Sequence, residues 1–122
     1  MKHSPGFLKL VDEARRRVKE LTLDQARARL AENPQAVLMD VREESEWAKG
    51  HSVQAVHLGK GVLERDLEGL YPDWDTEIIM YCGGGYRSAL TADAAQQMGY
   101  RQVYSLAGGY QAMVKSGWPM TQ

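Results

Sequence analysis

The chain has 122 residues, 43% of them hydrophobic and 25% charged, which is typical of one globular domain with its own core. Its formal net charge of −1 gives no reason to expect nucleic acid or an anionic membrane as a partner, and no apolar run is long enough to cross a membrane. The single cysteine cannot form an internal disulfide, and no apolar signal-peptide core follows the N-terminus, so we expect a cytoplasmic protein.

The N-terminal segment predicts a helix. Ser4 and Pro5 suit the N-cap and the first helical position. Apolar residues then recur at steps of three and four along one stripe, formed by Phe7, Val11, Ala14, Val18 and Leu21. We predict a helical extension over residues 1–20, whose stripe could pack on its own domain or on a partner.

The rest of the chain, residues 21–122, predicts one α/β domain. Thr22 and Gln25 form a capping-box pattern that opens a helix, which runs to Leu30. Strands and helices then alternate: strands are predicted over residues 36–41, 55–58, 78–82 and 102–106, and helices over 43–49, 61–70, 87–98 and 110–115. The runs 36–41 and 78–82 are almost wholly apolar, which is typical of strands buried on both faces. The pattern predicts an open, largely parallel central sheet flanked by helices.

The segment after the second buried strand carries the only cysteine. Cys82 ends that strand, at the sheet edge where open α/β folds bind their ligands. Gly83, Gly84 and Gly85 can take backbone angles closed to other residues, so successive N–H groups can converge on one point. The helix beginning near Arg87 directs its N-terminus there as well. We predict an anion at this point, either a bound phosphate or the thiolate of the cysteine.

A purely structural role, a nucleotide site and a metal site all suit this segment less well. A lone cysteine is usually a small buried apolar residue, and a run of glycines is usually a turn. The combination of strand, cysteine, glycine loop, Arg-Ser and helix favours a functional site instead. The nucleotide-binding patterns fail, because no G-x-x-x-x-G-K-[ST] is present and Ser88 stands where G-x-G-x-x-G needs glycine. The three histidines share no metal-ligand spacing with Cys82, so we expect no metal.

The sequence resembles the rhodanese family of sulfurtransferases, specifically its small single-domain members. CGGGYRS, residues 82–88, matches the family's C-x-x-G-x-R-S loop. MDVREESEW (39–47) resembles its D-V-R-x-x-x-E-[YFW] segment, and LAGGYQAMVKSGWP (106–119) resembles its closing L-x-G-G-[YF] segment. KGHSVQAVHL (49–58) resembles the G-H-I-x-G-A segment only in part. The four segments occur in the family's order and cover most of the domain.

This resemblance implies that Cys82 is the catalytic residue of a sulfur transfer. Cys82 would take a sulfane sulfur from a donor such as thiosulfate as a persulfide, and a thiol, a protein thiol or cyanide would accept it. No metal or organic cofactor is implied. The loop that would bind substrate and persulfide is Gly83, Gly84, Gly85, Tyr86, Arg87 and Ser88. Tyr86 would line the mouth of the site, and Arg87 would either orient an anionic donor or brace the loop.

Three charged residues are predicted to support the site. Asp40 and Arg42 follow another strand and would hold the same sheet edge by ion pairs, with Arg42 and Glu46 as the expected pair. Trp47 is expected in the core.

Two other functions remain open at this point. Phosphatases and arsenate reductases of similar fold place the arginine one residue farther from the cysteine, so that their loop encircles a tetrahedral oxyanion. Here Arg87 is five residues after Cys82, a shorter loop that suits a sulfur atom. A non-catalytic binding module is the other alternative, although such domains often lack the cysteine.

Overall fold

The computed structural model describes residues 2–122. Its helices are α1 Pro5–Arg15, α2 Leu23–Glu32, α3 Glu44–Lys49, α4 Lys60–Leu70, α5 Arg87–Met98 and α6 Gly109–Lys115. Its strands are β1 Lys19–Leu21, β2 Val37–Asp40, β3 His51–Ser52, β4 Val56–His57, β5 Glu77–Tyr81, β6 Gln102–Leu106 and β7 Met120–Thr121. No helix in this part of the chain is long and apolar enough to span a membrane.

The central sheet has five strands in the order β1-β6-β5-β2-β4, and every neighbouring pair in it is parallel. The predicted parallel α/β sheet is therefore confirmed. A separate two-stranded antiparallel sheet pairs β3 with β7, which the sequence did not predict. Because parallel strands share one carboxyl edge, the ends of β2 and β5 lie side by side, with Asp40 opposite Tyr81.

Helices cover both faces of the central sheet. Alternate residues of β5 enter two different cores: Ile78 and Met80 pack with the buried side of α4 and α5, and Ile79 and Tyr81 pack with that of α2 and α6. This is why residues 78–81 of β5 read as an unbroken apolar run, since neither face of the strand meets water. The two cores hold β5 rigidly and so fix the position of the residue that follows it.

The N-terminal helix is shorter than predicted. Alpha-helical structure ends at Arg15, and Leu21 lies in β1, which pairs with β6 at the edge of the sheet. The predicted continuous stripe through Leu21 was therefore wrong. Residues 19–21 pair with β6 as a strand, although the spacing of Leu21 also suited a helix. Within α1, Val11 and Ala14 pack against α5 of the same chain. The division into residues 1–20 and 21–122 stays a prediction, and β1 crosses that boundary.

The local signals used for the other elements agree with the structure. Thr22 and Gln25 form the capping box of α2, with Thr22 Oγ1 accepting from the Gln25 N–H at 3.2 Å and Gln25 Oε1 accepting from the Thr22 N–H at 2.9 Å. The helix α5 and the strand β6 have the predicted bounds. Both elements flank the cysteine loop, so its surroundings follow closely from the sequence pattern.

Candidate active site

Cys82 is the first residue after β5, and its side chain is surrounded by hydrogen-bond donors. The backbone N–H groups of Gly85 and Ser88 donate to Sγ at 3.2 and 3.4 Å. Sγ also lies 3.5 Å from Oγ of Ser88, to which a thiol can donate. The residue is only 1% exposed, so water competes little for these bonds. Two backbone donors at this position stabilise negative charge on sulfur.

The three loop glycines have different roles. Gly85 alone among them has a positive φ, of 94°, and a Cβ there would meet Gly108 N and Leu106 O at 3.3 Å each. Gly83 and Gly84 do not use the positive-φ region that glycine makes available, so only Gly85 needs to be glycine for its backbone conformation. Gly83 and Gly84 line the open cleft beside the sulfur. They leave the approach to Cys82 free of side chains.

A second buried hydroxyl stands behind the sulfur. Ser88 Oγ lies 2.8 Å from Ser105 Oγ, and both residues are fully buried. When Cys82 is a thiolate, the Ser88 hydroxyl can donate to Sγ while the Ser105 hydroxyl donates to Ser88. Sequence reasoning missed Ser105, although a serine in a buried apolar strand was a usable signal.

The N-terminus of α6 holds the loop from the inner side. The N–H groups of Tyr110 and Gln111 donate to the carbonyls of Cys82 and Gly83 at 2.7 and 3.0 Å. Gly109, with φ of 53°, makes this approach possible, because a Cβ at that position would overlap the Cys82 carbonyl oxygen. The Gly-Gly pair after β6 therefore serves the cysteine loop directly.

Arg87 braces the loop rather than projecting alone into the cleft. Its Nη1 and Nη2 donate to the two carboxylate oxygens of Glu46 at 2.7 and 3.0 Å. The hydrogen bond from Arg87 is the main reason that the pKa of Glu46 falls to about 2, against the opposing effect of burial. Both terminal nitrogens of Arg87 are thus engaged by Glu46, and whether Arg87 also orients an anionic donor stays a prediction.

The predicted ion pair between Arg42 and Glu46 was wrong. Arg42 does not pair with Glu46; its Nε and Nη2 donate to Asp40 Oδ2 at 3.1 and 2.8 Å, and Nη2 also donates to the Gly50 carbonyl at 2.6 Å. Arg42 and Asp40 are both buried, and Asp40 is only two residues away in the chain, whereas Glu46 is already held by Arg87. Through the bond from Arg42 to the Gly50 carbonyl, the pair ties the end of β2 to the residue before β3, and its support of the site stays a prediction.

Trp47 also differs from expectation. It is half-buried rather than in the core, and its ring stacks on those of His51 and His57, with centroids 3.3 and 4.9 Å away.

Among residues 2–122, no group of three or more His, Cys, Asp or Glu side chains is arranged to hold a metal ion.

A cleft of about 840 Å³ opens beside Cys82. Tyr86 lines it, as predicted, together with His3 and Phe7 from the N-terminal segment, which the sequence did not place there. Arg15 reaches the loop from α1, with its Nη2 donating to the Gly85 carbonyl at 3.2 Å and its guanidinium lying 4.7 Å from the centre of the Tyr86 ring. Nothing in the local sequence indicated that α1 returns to the cysteine loop.

A comparison with known protein families identifies the family to which this chain belongs. The family model described as a rhodanese-like domain matches residues 22–116. The chain belongs to the rhodanese-like family. The match begins just after β1, so His3, Phe7 and Arg15 lie outside the part of this rhodanese-like chain that the family model covers.

Solved structures share the fold. A protein of unknown function from Rhodopseudomonas palustris CGA009, described as a possible tyrosine phosphatase, is 28% identical with a TM-score of 0.85, and the match covers 99% of this chain and 98% of that one. The human single-domain sulfurtransferase TSTD1 is 25% identical with a TM-score of 0.71, over 80% of this chain and 96% of its own. Thiosulfate sulfurtransferase from Pseudomonas aeruginosa, at 22% identity and a TM-score of 0.77, matches 95% of this chain with 22% of its length and shows the fold alone.

Proposed function

We propose that this rhodanese-like protein is a sulfurtransferase that moves a sulfane sulfur from a donor such as thiosulfate to a thiol or cyanide acceptor through a persulfide on Cys82. The observation that carries the proposal is the pair of backbone N–H groups, of Gly85 and Ser88, that donate to Sγ, with the Ser88 hydroxyl 3.5 Å from the same sulfur. The same donors suit the thiolate before the reaction and the persulfide during it.

The reaction has two displacements on sulfur. The Cys82 thiolate attacks the outer sulfur of thiosulfate, the sulfur–sulfur bond breaks, and sulfite leaves with its electron pair. The acceptor nucleophile then attacks the outer sulfur of the Cys82 persulfide, and the thiolate leaves. Atoms and electrons balance without any external oxidant or reductant, and the loop donors hold the negative charge that returns to Sγ.

Thiosulfate is expected to bind weakly in this cleft. It is a dianion, and the loop between Cys82 and Arg87 carries no lysine and no second arginine. The charge of Arg87 is largely compensated by Glu46. Backbone N–H groups and the helix dipole of α5 remain, each worth about 0.3–2 kcal/mol at a partly exposed site. A high thiosulfate KM is therefore part of the proposal.

The phosphatase alternative is supported by the description of the Rhodopseudomonas palustris neighbour. It needs an arginine free to bind the equatorial oxygens of a phosphate, and here Arg87 makes two hydrogen bonds to a carboxylate. A non-catalytic binding role is the other alternative, and the retained cysteine with its donors speaks against it.

Intact mass spectrometry tests the proposal. After incubation with thiosulfate and removal of the excess, the wild-type chain should gain one sulfur atom, and cyanide should then remove it as thiocyanate. Cys82→Ser should gain none. A wild-type chain that gains no sulfur contradicts the proposal, and hydrolysis of para-nitrophenyl phosphate that depends on Cys82 would favour the phosphatase.

A further inference from the structure

The cleft beside Cys82 has an aromatic wall built from two distant parts of the chain. His3 and Phe7 come from the N-terminal segment, and Tyr86 comes from the cysteine loop. The ring centroids lie 4.2 Å apart for His3 and Tyr86, 5.3 Å for His3 and Phe7, and 6.3 Å for Phe7 and Tyr86. These spacings are those of rings in contact, so the three form one continuous surface. We call it the aromatic wall.

The wall is held in place by the packing of α1. Val11 and Ala14 of this helix are fully buried against Ala89 of α5. Arg17, just after α1, donates to both carboxylate oxygens of Asp93 on α5 at 2.9 and 2.7 Å. The wall is therefore part of the folded site, and a ligand would not have to order α1 in order to meet it.

Charge in the cleft is already compensated. Arg87 and Glu46 form a two-bond ion pair within the lining. Arg15, just outside it, contacts the Gly85 carbonyl and the Tyr86 ring, and its Nε lies 3.5 Å from a carboxylate oxygen of Glu20. Among the lining residues that the structure describes, no lysine or second arginine stands ready for an anionic substituent.

The cleft is also much larger than its simplest substrates. A volume of about 840 Å³ is within the ~300–1,000 Å³ typical of sites for drug-sized organic molecules. Cyanide and thiosulfate need only the part next to Cys82. Because the charges are compensated, a larger molecule would be attracted to the cleft chiefly by burying its apolar surface against the aromatic wall.

We propose that the aromatic wall of His3, Phe7 and Tyr86 binds the organic body of the sulfur acceptor, so that the enzyme prefers thiols with an uncharged aromatic or apolar group over multiply anionic thiols. This inference rests on the proposed sulfur transfer. The bound thiolate attacks the outer sulfur of the Cys82 persulfide, the sulfur–sulfur bond breaks, Cys82 leaves as thiolate, and the acceptor departs as its own persulfide.

Single-turnover transfer from the preformed Cys82 persulfide tests the inference. The loaded protein, freed of thiosulfate, is mixed with cyanide, phenylmethanethiol or the dianionic mercaptosuccinate, and the second-order rate constant for loss of the sulfur atom is measured by mass. Each acceptor is compared with itself between variants, so its intrinsic reactivity cancels. Phe7→Ala should lower the rate constant for phenylmethanethiol roughly 3- to 10-fold. The values for cyanide and mercaptosuccinate should stay within about twofold.

Two further variants separate binding from folding. Leu10 lies on α1 but is 56% exposed and outside the cleft lining, so Leu10→Ala should leave all three rate constants unchanged. Phe7→Leu keeps an apolar side chain in the α1 packing and should fall between wild type and Phe7→Ala for phenylmethanethiol.

The outcomes are distinct. An equal loss for all three acceptors, or no loss for phenylmethanethiol in either Phe7 variant, overturns the inference and leaves the proposed function standing. A wild-type protein that forms no persulfide overturns the proposed function, and the inference with it.

Discussion

The cysteine loop is supported in different ways on its inner and outer sides. On the inner side, backbone N–H groups of α6 and the buried Ser88–Ser105 pair hold it at short range. On the outer side, long side chains from other elements reach it: Arg15 from α1 and Glu46 from α3. The backbone contacts of the inner side allow the loop little displacement, whereas the long side chains of the outer side can be replaced by other residues without moving the backbone. We therefore expect the inner side to govern the chemistry at sulfur and the outer side to govern which molecules approach it.

The largest effect should come from the sulfur itself. Cys82→Ser should abolish thiocyanate formation from thiosulfate and cyanide, because serine forms no persulfide. The chain should still fold, since the change is nearly isosteric and the hydroxyl can accept from the same N–H groups. The measurement is turnover together with the thermal melting temperature. Retained turnover would show that another group carries the sulfur.

The inner side can be broken at Gly109. An alanine there would place Cβ on the Cys82 carbonyl oxygen and also require a left-handed backbone. We expect Gly109→Ala to lose about 2–4 kcal/mol of unfolding free energy in urea and most of its activity.

Gly117→Ala is the matched control. Gly117 also has a positive φ, of 79°, but a Cβ there would meet open space. Gly117→Ala should lose only the unfolding free energy that a left-handed backbone costs an alanine, about 1–2 kcal/mol, and should keep its activity. Equal losses in the two variants would mean that the approach of α6 to the loop is unimportant.

The role of the outer side can be tested at Glu46. Glu46→Gln removes the charge that compensates Arg87, so the free guanidinium should attract thiosulfate and lower its KM about 3- to 10-fold at low salt. The gain should shrink as salt is raised. Glu44→Gln, an exposed change on the same helix, is the control and should leave the KM unchanged. An unaltered KM in Glu46→Gln would mean that Arg87 never meets the donor.

The same pair makes stability depend on acid pH. The pKa of Glu46 is about 2 in the folded chain, below its ordinary value of 4.5, mainly through the hydrogen bond from Arg87. A lowered folded-state pKa means that the contribution is complete above pH 4.5 and is lost as the pH falls toward 2. Because the pair is about one-third exposed, we expect no more than about 1 kcal/mol. The difference in unfolding free energy between wild type and Glu46→Gln should vanish as the pH falls from 4.5 to 2. A difference that stays constant with pH would contradict the proposed contribution of the ion pair.

The smallest effect should follow loss of Arg15. Its hydrogen bond to Gly85 acts on the residue whose N–H group donates to Cys82. Arg15→Ala should slow persulfide formation and iodoacetamide alkylation of Cys82 about two- to threefold, as one partly exposed charged hydrogen bond would suggest. Arg16→Ala removes an exposed neighbouring charge and should change neither rate. A lower melting temperature with unchanged alkylation would show that Arg15 only stabilises α1.

Sequence reasoning succeeded where the signal lies within one element and its flanks. The capping box of α2 and the buried strand β5 are both local patterns; the capping box occurs as predicted, and β5 begins and ends one residue earlier than predicted, so that Cys82 follows it. It failed for β3 and β7, which have two residues each and pair across the length of the domain. The two-residue strand β4 lies in the predicted run 55–58, whereas β3 and β7 belong to no apolar run, and only the folding of the rest brings them together.

The sequence by itself determined the α/β class, the place of Cys82 at the end of a buried strand and the nature of its loop. These follow from residue patterns over a few neighbouring positions, because backbone geometry and burial act locally. Only the tertiary structure decided that Arg87 takes Glu46 while Arg42 takes Asp40, and that α1 returns to line the cleft with Phe7. Charged and aromatic side chains have several acceptable partners in sequence. The choice among them depends on distances that exist only once the sheet and its helices have packed.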